Sequence, residues 1–168
     1  MMRKAVIILS LIIPLTSLYL LYTGTISWFE VVLGVIVSLL VATLFGDVLV
    51  KNPGKIYDPR RWLWLIVYGL KYLTIIEARA HWQVIKLIFN PEKARPGIVR
   101  IPYYLNNDYS ITTVANSITN TPGTIVVDID EDEKNMYVHW IRIIDTGDQG
   151  ARKHVSEEFE RYASKIFE

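Results

Sequence analysis

Two long apolar stretches occupy the amino-terminal part of the chain. Residues 5–22 contain no charged side chain, and residues 28–50 contain only Glu30 and Asp47, both near the ends of that stretch. At about 1.5 Å per residue, each stretch would form a helix of roughly 27 Å or more, close to the roughly 30 Å hydrocarbon core of a bilayer. The pattern therefore predicts two membrane spans, joined by a short uncharged connection into a helical hairpin.

A cleaved signal peptide is the alternative for the first stretch, because Arg3 and Lys4 precede it. The stretch is longer than the apolar region of an ordinary signal peptide, and no pair of small residues marks a cleavage site after it. Basic residues flank the hairpin on both sides and none lies in its connection, so the positive-inside rule places both ends in the cytoplasm. We predict a multi-pass protein of the cell membrane whose amino terminus and carboxyl-terminal domain are cytoplasmic.

A third segment, residues 61–89, is apolar only at its beginning. From Lys71 onward the pattern is amphipathic, and one apolar stripe contains Leu73, Ile76, Ala80, Val84 and Leu87. This pattern favours a helix that lies in the membrane interface or is steeply tilted. A third true span is the alternative, although it would export the basic residues that follow.

Residues 91–168 have the pattern of a small α+β domain, whereas residues 1–90 form the membrane domain. Short alternating stretches predict strands at 97–104, 124–129 and 136–143, and helical spacing predicts a helix at 109–118, capped by Asp108, and a closing helix through 151–166. In the closing helix, Ala151, Val155, Phe159, Tyr162 and Ile166 share the apolar face. The order β-α-β-β-α predicts helices packed on one face of a small sheet.

Charge and composition exclude several kinds of site. The chain has no cysteine and only three scattered histidines, so we predict no metal, no cofactor and no catalytic residues. The acidic run at 128–133 lacks the glycine and ligand spacing of a calcium loop, which indicates a solvated turn. We expect His139 and Trp140 to form a packed surface pair. We also expect neither a nucleic-acid partner nor a small-molecule substrate of its own.

A stripe of small residues runs along the second span. Gly34, Ser38, Ala42 and Gly46 recur at every fourth position, which places them on one face of a helix. Small side chains allow two helix backbones to approach closely in lipid. We therefore predict that this stripe packs against another helix, either the first span or a span of a neighbouring subunit.

Three short runs carry a family resemblance, at 95–98, 115–124 and 138–140. The motif residues are Arg95, Pro96, Gly97, Asn116, Ser117, Thr119, Thr121, Pro122, Gly123 and Thr124. In these runs the sequence resembles the E-type component of Mrp/Mnh-type multisubunit cation/proton antiporters, and the likeness extends over nearly the whole chain. The resemblance implies a subunit that accompanies larger antiporter-like subunits, with relatives in archaeal membrane-bound hydrogenase and sulfur-reducing complexes.

We therefore predict an accessory, structural subunit of a cation/proton antiporter module, whose partners are the lipid bilayer and other membrane subunits. The alternative is a self-assembling small transporter or channel, which would require polar groups at the bilayer centre. A membrane-anchored enzyme is a third class, and it would require a cluster of reactive side chains between residues 96 and 168. The sequence has no charged residue in the middle of either span, so two spans could supply converging polar groups only by homo-oligomerising, and it shows no cluster of reactive side chains.

Overall fold

The structure is a computed structural model that describes residues 2–168. It divides into two compact units, Met1–Pro59 and Arg60–Glu168. The sequence pattern predicted a boundary between a membrane domain, residues 1–90, and an α+β domain, residues 91–168. The structure instead groups the third helical segment with the α+β fold, because the aromatic face of that segment packs into the same core.

The first unit is a pair of long apolar helices, α1 (Met2–Thr23) and α2 (Trp28–Leu49). Gly24 has a φ of +67°, a left-handed conformation that glycine adopts without steric cost, and it turns the chain between the helices. Ser27 then caps α2 by accepting a hydrogen bond from the Glu30 amide at 3.2 Å. By length and composition, both helices are sufficient to cross a membrane.

A short 3₁₀ turn follows α2 at Pro53–Tyr57. The second unit contains the helices α3 (Pro59–Lys71, of which Pro59 falls in the first unit), α4 (Glu77–Phe89), α5 (Asp108–Asn120), α6 (Asp148–Val155) and α7 (Glu157–Phe167). Its strands are β1 (Gly97–Pro102), β2 (Thr124–Asp130) and β3 (Asn135–Trp140), and a 3₁₀ turn at Pro91–Lys93 precedes β1. The predicted combination of two apolar helices and a small α+β domain is confirmed.

The sheet is antiparallel throughout, with the order β1-β3-β2. Central strand β3 alternates between buried and half-buried residues, and its buried positions are Met136, Val138 and Trp140. Because side chains alternate across a strand, these three share one face. Together with Val99 and Ile101 of β1, they meet the helices in a single core.

Two features of the helices differ from expectation. The closing helix is broken at Ser156, whose φ of −113° departs from helical geometry, so α6 and α7 are separate helices and the order is β-α-β-β-α-α. The five residues predicted for its apolar face are nevertheless all buried. Asn107, rather than Asp108, caps α5 by accepting a hydrogen bond from the Tyr109 amide at 2.9 Å.

A π-helical turn at Tyr72–Ile76 joins α3 to α4. The Glu77 amide donates to the carbonyl of Tyr72, five residues earlier, so the chain is wound more loosely here than in an α-helix. The looser winding shifts the register of the stripe predicted on this segment. Leu73 is consequently 72% exposed, whereas Ile76, Ala80 and Leu87 are buried as expected.

Candidate functional site

The small-residue stripe of α2 faces α1 of the same chain. Gly34, Ser38, Ala42 and Gly46 are buried positions of this helix. A Cβ at Gly34 would lie 2.8 Å from Cδ1 of Tyr19, so only glycine fits there without movement of α1. The Ser38 and Thr16 hydroxyls form a hydrogen bond of 3.0 Å between the helices.

A Cβ at Gly46 would similarly lie 2.7 Å from Cγ2 of Ile7, which is itself almost fully buried. Close contact therefore extends along most of the length of both helices. This is the geometry in which dispersion and weak Cα–H···O contacts hold helices together in lipid.

The carboxylates of the hairpin lie near its ends and have partners. The Tyr19 hydroxyl donates to Oε2 of Glu30 at 2.7 Å. Nζ of Lys4 lies 3.9 Å from Oδ2 of Asp47, and both of these side chains are exposed. An ion pathway through this unit would need polar groups near the middle of the helices, and these two pairs do not supply one.

The outward surface of the hairpin is apolar. Large exposed side chains include Leu9, Ile13 and Leu18 on α1 and Ile36, Leu40 and Leu44 on α2. An apolar surface of this extent requires lipid or another membrane helix as its environment. These outward faces, and not the stripe, remain available to a neighbouring subunit.

The motif run that ends in Thr121, Pro122, Gly123 and Thr124 forms the turn between α5 and β2. The Thr121 hydroxyl donates to the Ser117 carbonyl at 2.6 Å, and the Thr124 hydroxyl donates to the Ile118 carbonyl at 2.8 Å. Both carbonyls lie in the last turn of α5, where the helix itself supplies too few amide donors. Gly123 has a φ of +98°, and a Cβ there would also lie 2.9 Å from Ile141. This part of the motif is therefore a structural turn.

Arg95, Gly97 and Thr119 of the motif make contacts at the ends of strands, whereas, among residues 2–168, Pro96 and Asn116 do not. The Arg95 amide donates to the Ile141 carbonyl at 3.1 Å, and a Cβ at Gly97 would lie 2.9 Å from Cδ1 of Ile143. Pro96 and Asn116 are exposed, and the Thr119 hydroxyl accepts from the Val126 amide at 3.2 Å.

An aromatic cluster joins the third segment to the domain. The rings of Tyr68 and Tyr162 stack with centroids 5.3 Å apart, and the Tyr68 hydroxyl hydrogen-bonds to that of the motif residue Ser117. Burial raises the pKa of Tyr68 to about 12, although the Ser117 bond acts in the opposite direction. This cluster was not among the features predicted from the sequence. The sequence feature that could have predicted it is the recurrence of aromatic residues at every fourth position, Trp64, Tyr68 and Tyr72.

Beside the aromatic cluster, Lys71 pairs with Glu158 at 2.5 Å, and this contact raises the pKa of the Lys71 ammonium group. The predicted surface pair of His139 and Trp140 is wrong. Trp140 is buried, and its ring lies 6.1 Å from the ring of His154 instead, because alternation on β3 sends neighbouring side chains to opposite faces.

A groove of about 290 Å³ lies between α4, the motif turn, the end of β3 and the junction of α6 and α7. Apolar and cationic side chains make up most of its lining, and Gln83, Thr121, Thr124 and Glu158 add polar groups. Within residues 2–168, no group of three or more histidine, aspartate or glutamate side chains is positioned to hold a metal ion.

Comparison with known proteins agrees with this architecture. The model of the MNHE family, described as a Na⁺/H⁺ ion antiporter subunit, matches residues 12–166. The E1 component of the Na⁺/H⁺ antiporter of Staphylococcus epidermidis is 33% identical over 125 residues, which cover 74% of this chain and 76% of that protein. The E component of the Na⁺/H⁺ antiporter of Bacillus subtilis is 29% identical over 116 residues, covering 67% of this chain and 72% of that protein.

Among solved structures, a chain of the membrane-bound sulfane sulfur reductase, an archaeal respiratory membrane complex, superposes with a TM-score of 0.81. It is 28% identical, and the match covers 96% of this chain and 99% of that one. The fold and the closely packed apolar hairpin define a membrane protein with a small α+β domain. More particularly, the chain belongs to the Na⁺/H⁺ ion antiporter subunit family, and the resemblance seen in its motif is confirmed.

Proposed function

We propose that this protein is an accessory, structural subunit of a multisubunit cation/proton antiporter module. The main support is the hairpin, which is closely packed internally, apolar outside and without a charged group in the middle of its helices. Such an element can dock beside larger membrane subunits but offers no ion path of its own. Family membership supports an antiporter as the parent complex, since the relatives are named as antiporter subunits.

We further propose that the protein is not catalytic and that its amino terminus and α+β domain face the cytoplasm. The orientation rests on the basic residues that flank the hairpin. In this proposal the segment from α3 to α4 lies in the cytoplasmic interface of the membrane. One face of this segment packs on the domain, while its opposite face exposes large apolar residues such as Leu70, Trp82 and Phe89.

Purification in a mild detergent tests the proposed function. We expect an affinity-tagged chain to co-purify with larger membrane subunits in a fixed ratio, and mass spectrometry of those subunits identifies the parent complex. Deleting the chain should reduce the amount of assembled complex. If the chain were recovered alone as a homo-oligomer that conducts ions in liposomes, it would be a self-assembling transporter and the proposed function would be wrong.

A further inference from the structure

The floor of the groove beside α4 is apolar. Ala80, Leu87, Trp140 and Phe159 line it, and all four are buried. A surface of this kind gives no hydrogen bonds to a small inorganic anion. It does offer dispersion and hydrophobic contact to a hydrocarbon chain.

The rim of the same groove is cationic. Arg79 of α4, Arg142 after β3 and Lys153 of α6 are exposed residues contributed by three separate parts of the fold. Among residues 2–168, none of the three forms an ion pair with a carboxylate. Three cationic side chains that line one groove without carboxylate partners favour an anion with several acceptor oxygens, such as a phosphate group.

The one acidic residue in the lining does not cancel this charge. Glu158 is already paired with Lys71 at 2.5 Å and lies 3.9 Å from Arg161, and neither of these cations lines the groove. The rim therefore keeps a net positive charge.

The groove opens beside a face of α4 that is suited to lipid. Trp82, Ile85, Ile88 and Phe89 expose much of their side chains on the side of the helix turned away from the core. Nζ of Lys86 lies 5.4 Å from the centre of the Trp82 ring. Exposed aromatic and aliphatic residues bordered by cations are typical of a helix at the headgroup level of a membrane.

We propose that this cationic groove binds the phosphate of an anionic phospholipid, with the beginning of an acyl chain over the apolar floor. Arg79, Arg142 and Lys153 hold the headgroup. The proposal rests on the interfacial position of α4 given in the proposed function. It extends that function by assigning one bound lipid to a defined site.

The test uses the full chain purified in a non-ionic detergent, with native mass spectrometry as the readout. We expect phosphatidylglycerol to remain bound, whereas phosphatidylcholine and soluble glycerol phosphate at the same concentration do not. The double variant Arg79→Gln/Arg142→Gln should bind phosphatidylglycerol at least about tenfold more weakly, since each basic side chain near an anionic headgroup contributes roughly a fivefold factor. Val84→Trp, which fills the groove without a change of charge, should weaken it as well.

The matched control is Lys93→Gln/Lys134→Gln, which removes the same charge from residues outside the groove. Equal losses in the control and in the groove variant would mean general surface attraction and would overturn the proposal. If glycerol phosphate bound equally well, the ligand of the groove would be a soluble phosphate compound and not a lipid. If the groove variant kept its lipid but lost partner subunits, the groove would be a protein interface. Co-purification of subunits is scored separately, so failure of the lipid site leaves the proposed function standing.

Discussion

The Glu160 carboxylate is the most enclosed charged group of the α+β domain, with 4% of its surface exposed. Nη2 of Arg152 lies 3.1 Å from it, and the Ser156 hydroxyl and the Tyr104 amide donate to it at 2.6 Å and 3.3 Å. Ser156 is also the residue at which the closing helix breaks. The carboxylate therefore ties together α6, α7 and the segment after β1.

Replacing Glu160 with alanine should strongly destabilise the domain. The change leaves Arg152 enclosed without its buried partner, and breaking a buried pair in this way costs about 3–5 kcal/mol. Glu157→Ala is the control, since that carboxylate is half exposed and lies 3.5 Å from the same arginine, so its loss should cost about 0–1 kcal/mol. Urea titration followed by tryptophan fluorescence measures both. Similar midpoints for the two variants would contradict the expected difference.

Tyr68 should make the stability of the domain fall at high pH. Burial raises its pKa from 10.0 to about 12, so between these values the folded chain keeps a proton that the unfolded chain has lost. The contribution of Tyr68 to the free energy of unfolding is fully present below pH 10 and decreases by about 3 kcal/mol as the pH rises to 12. The raised pKa of Lys71 acts in the same direction.

We therefore expect Tyr68→Phe to reduce the alkaline loss of unfolding free energy without abolishing it. The Ser117 hydroxyl still donates to the Thr113 carbonyl at 2.7 Å in this variant, so it is not left unpaired. Urea titrations at several pH values measure the slope. Tyr57→Phe, at an exposed tyrosine of the other unit, should leave the slope unchanged. An unchanged slope in Tyr68→Phe would mean that its phenol ionises as readily when folded.

At the scale of the elements, the spacing of apolar residues predicted where helices and strands lie but not the local irregularities within the helices. The spans, the strands and the apolar face of the closing helix follow from the spacing of apolar residues, which burial requires in any arrangement. The π-helical turn and the break at Ser156 could not be predicted from that spacing. Both depend on tertiary contacts: the turn allows Tyr68 and Ile76 to reach one core, and the break positions Ser156 against Glu160.

Of the two candidate binding surfaces, one could be predicted from the sequence and the other could not. The stripe on α2 was visible in the sequence, but its partner was not, because close packing does not specify which helix fills the space. The cationic groove was not visible at all. Its three basic residues lie far apart in the sequence, and only the fold brings α4, the end of β3 and α6 to one place.

Enlarging the stripe should loosen the hairpin. In Ser38→Leu and Ala42→Leu, the longer side chain must displace α1, and overpacking of this kind costs about 1–3 kcal/mol. Detergent denaturation of the purified chain, followed by tryptophan fluorescence, measures the loss. Val37→Leu, on the exposed side of α2, serves as the control. If Ser38→Leu and Ala42→Leu were as stable as the control, the close contact would contribute nothing to the pairing of the helices.

For the whole molecule, the prediction is topological. The chain has no native cysteine, so a single introduced cysteine reports one position cleanly. We expect Lys4→Cys and Asp132→Cys to react with a membrane-impermeant maleimide only after the cells are opened. Thr25→Cys, in the connection between α1 and α2, should react in intact cells.

A different labelling pattern would change the topology assigned to the segment from α3 to α4. If Asp132→Cys reacted in intact cells while Lys4→Cys stayed protected, the segment from α3 to α4 would cross the membrane and the domain would face outward. The interfacial placement of α4 would then be wrong.

The filled stripe between α1 and α2 also bears on how the protein is made. Because the close-packing surface of α2 is occupied by a helix of the same chain, the hairpin can complete its internal contacts as soon as both helices leave the insertion machinery. Its small-residue stripe is already filled without a partner. We therefore expect newly synthesised chains to persist in the bilayer as a stable reservoir, from which later-made subunits recruit one copy at a time.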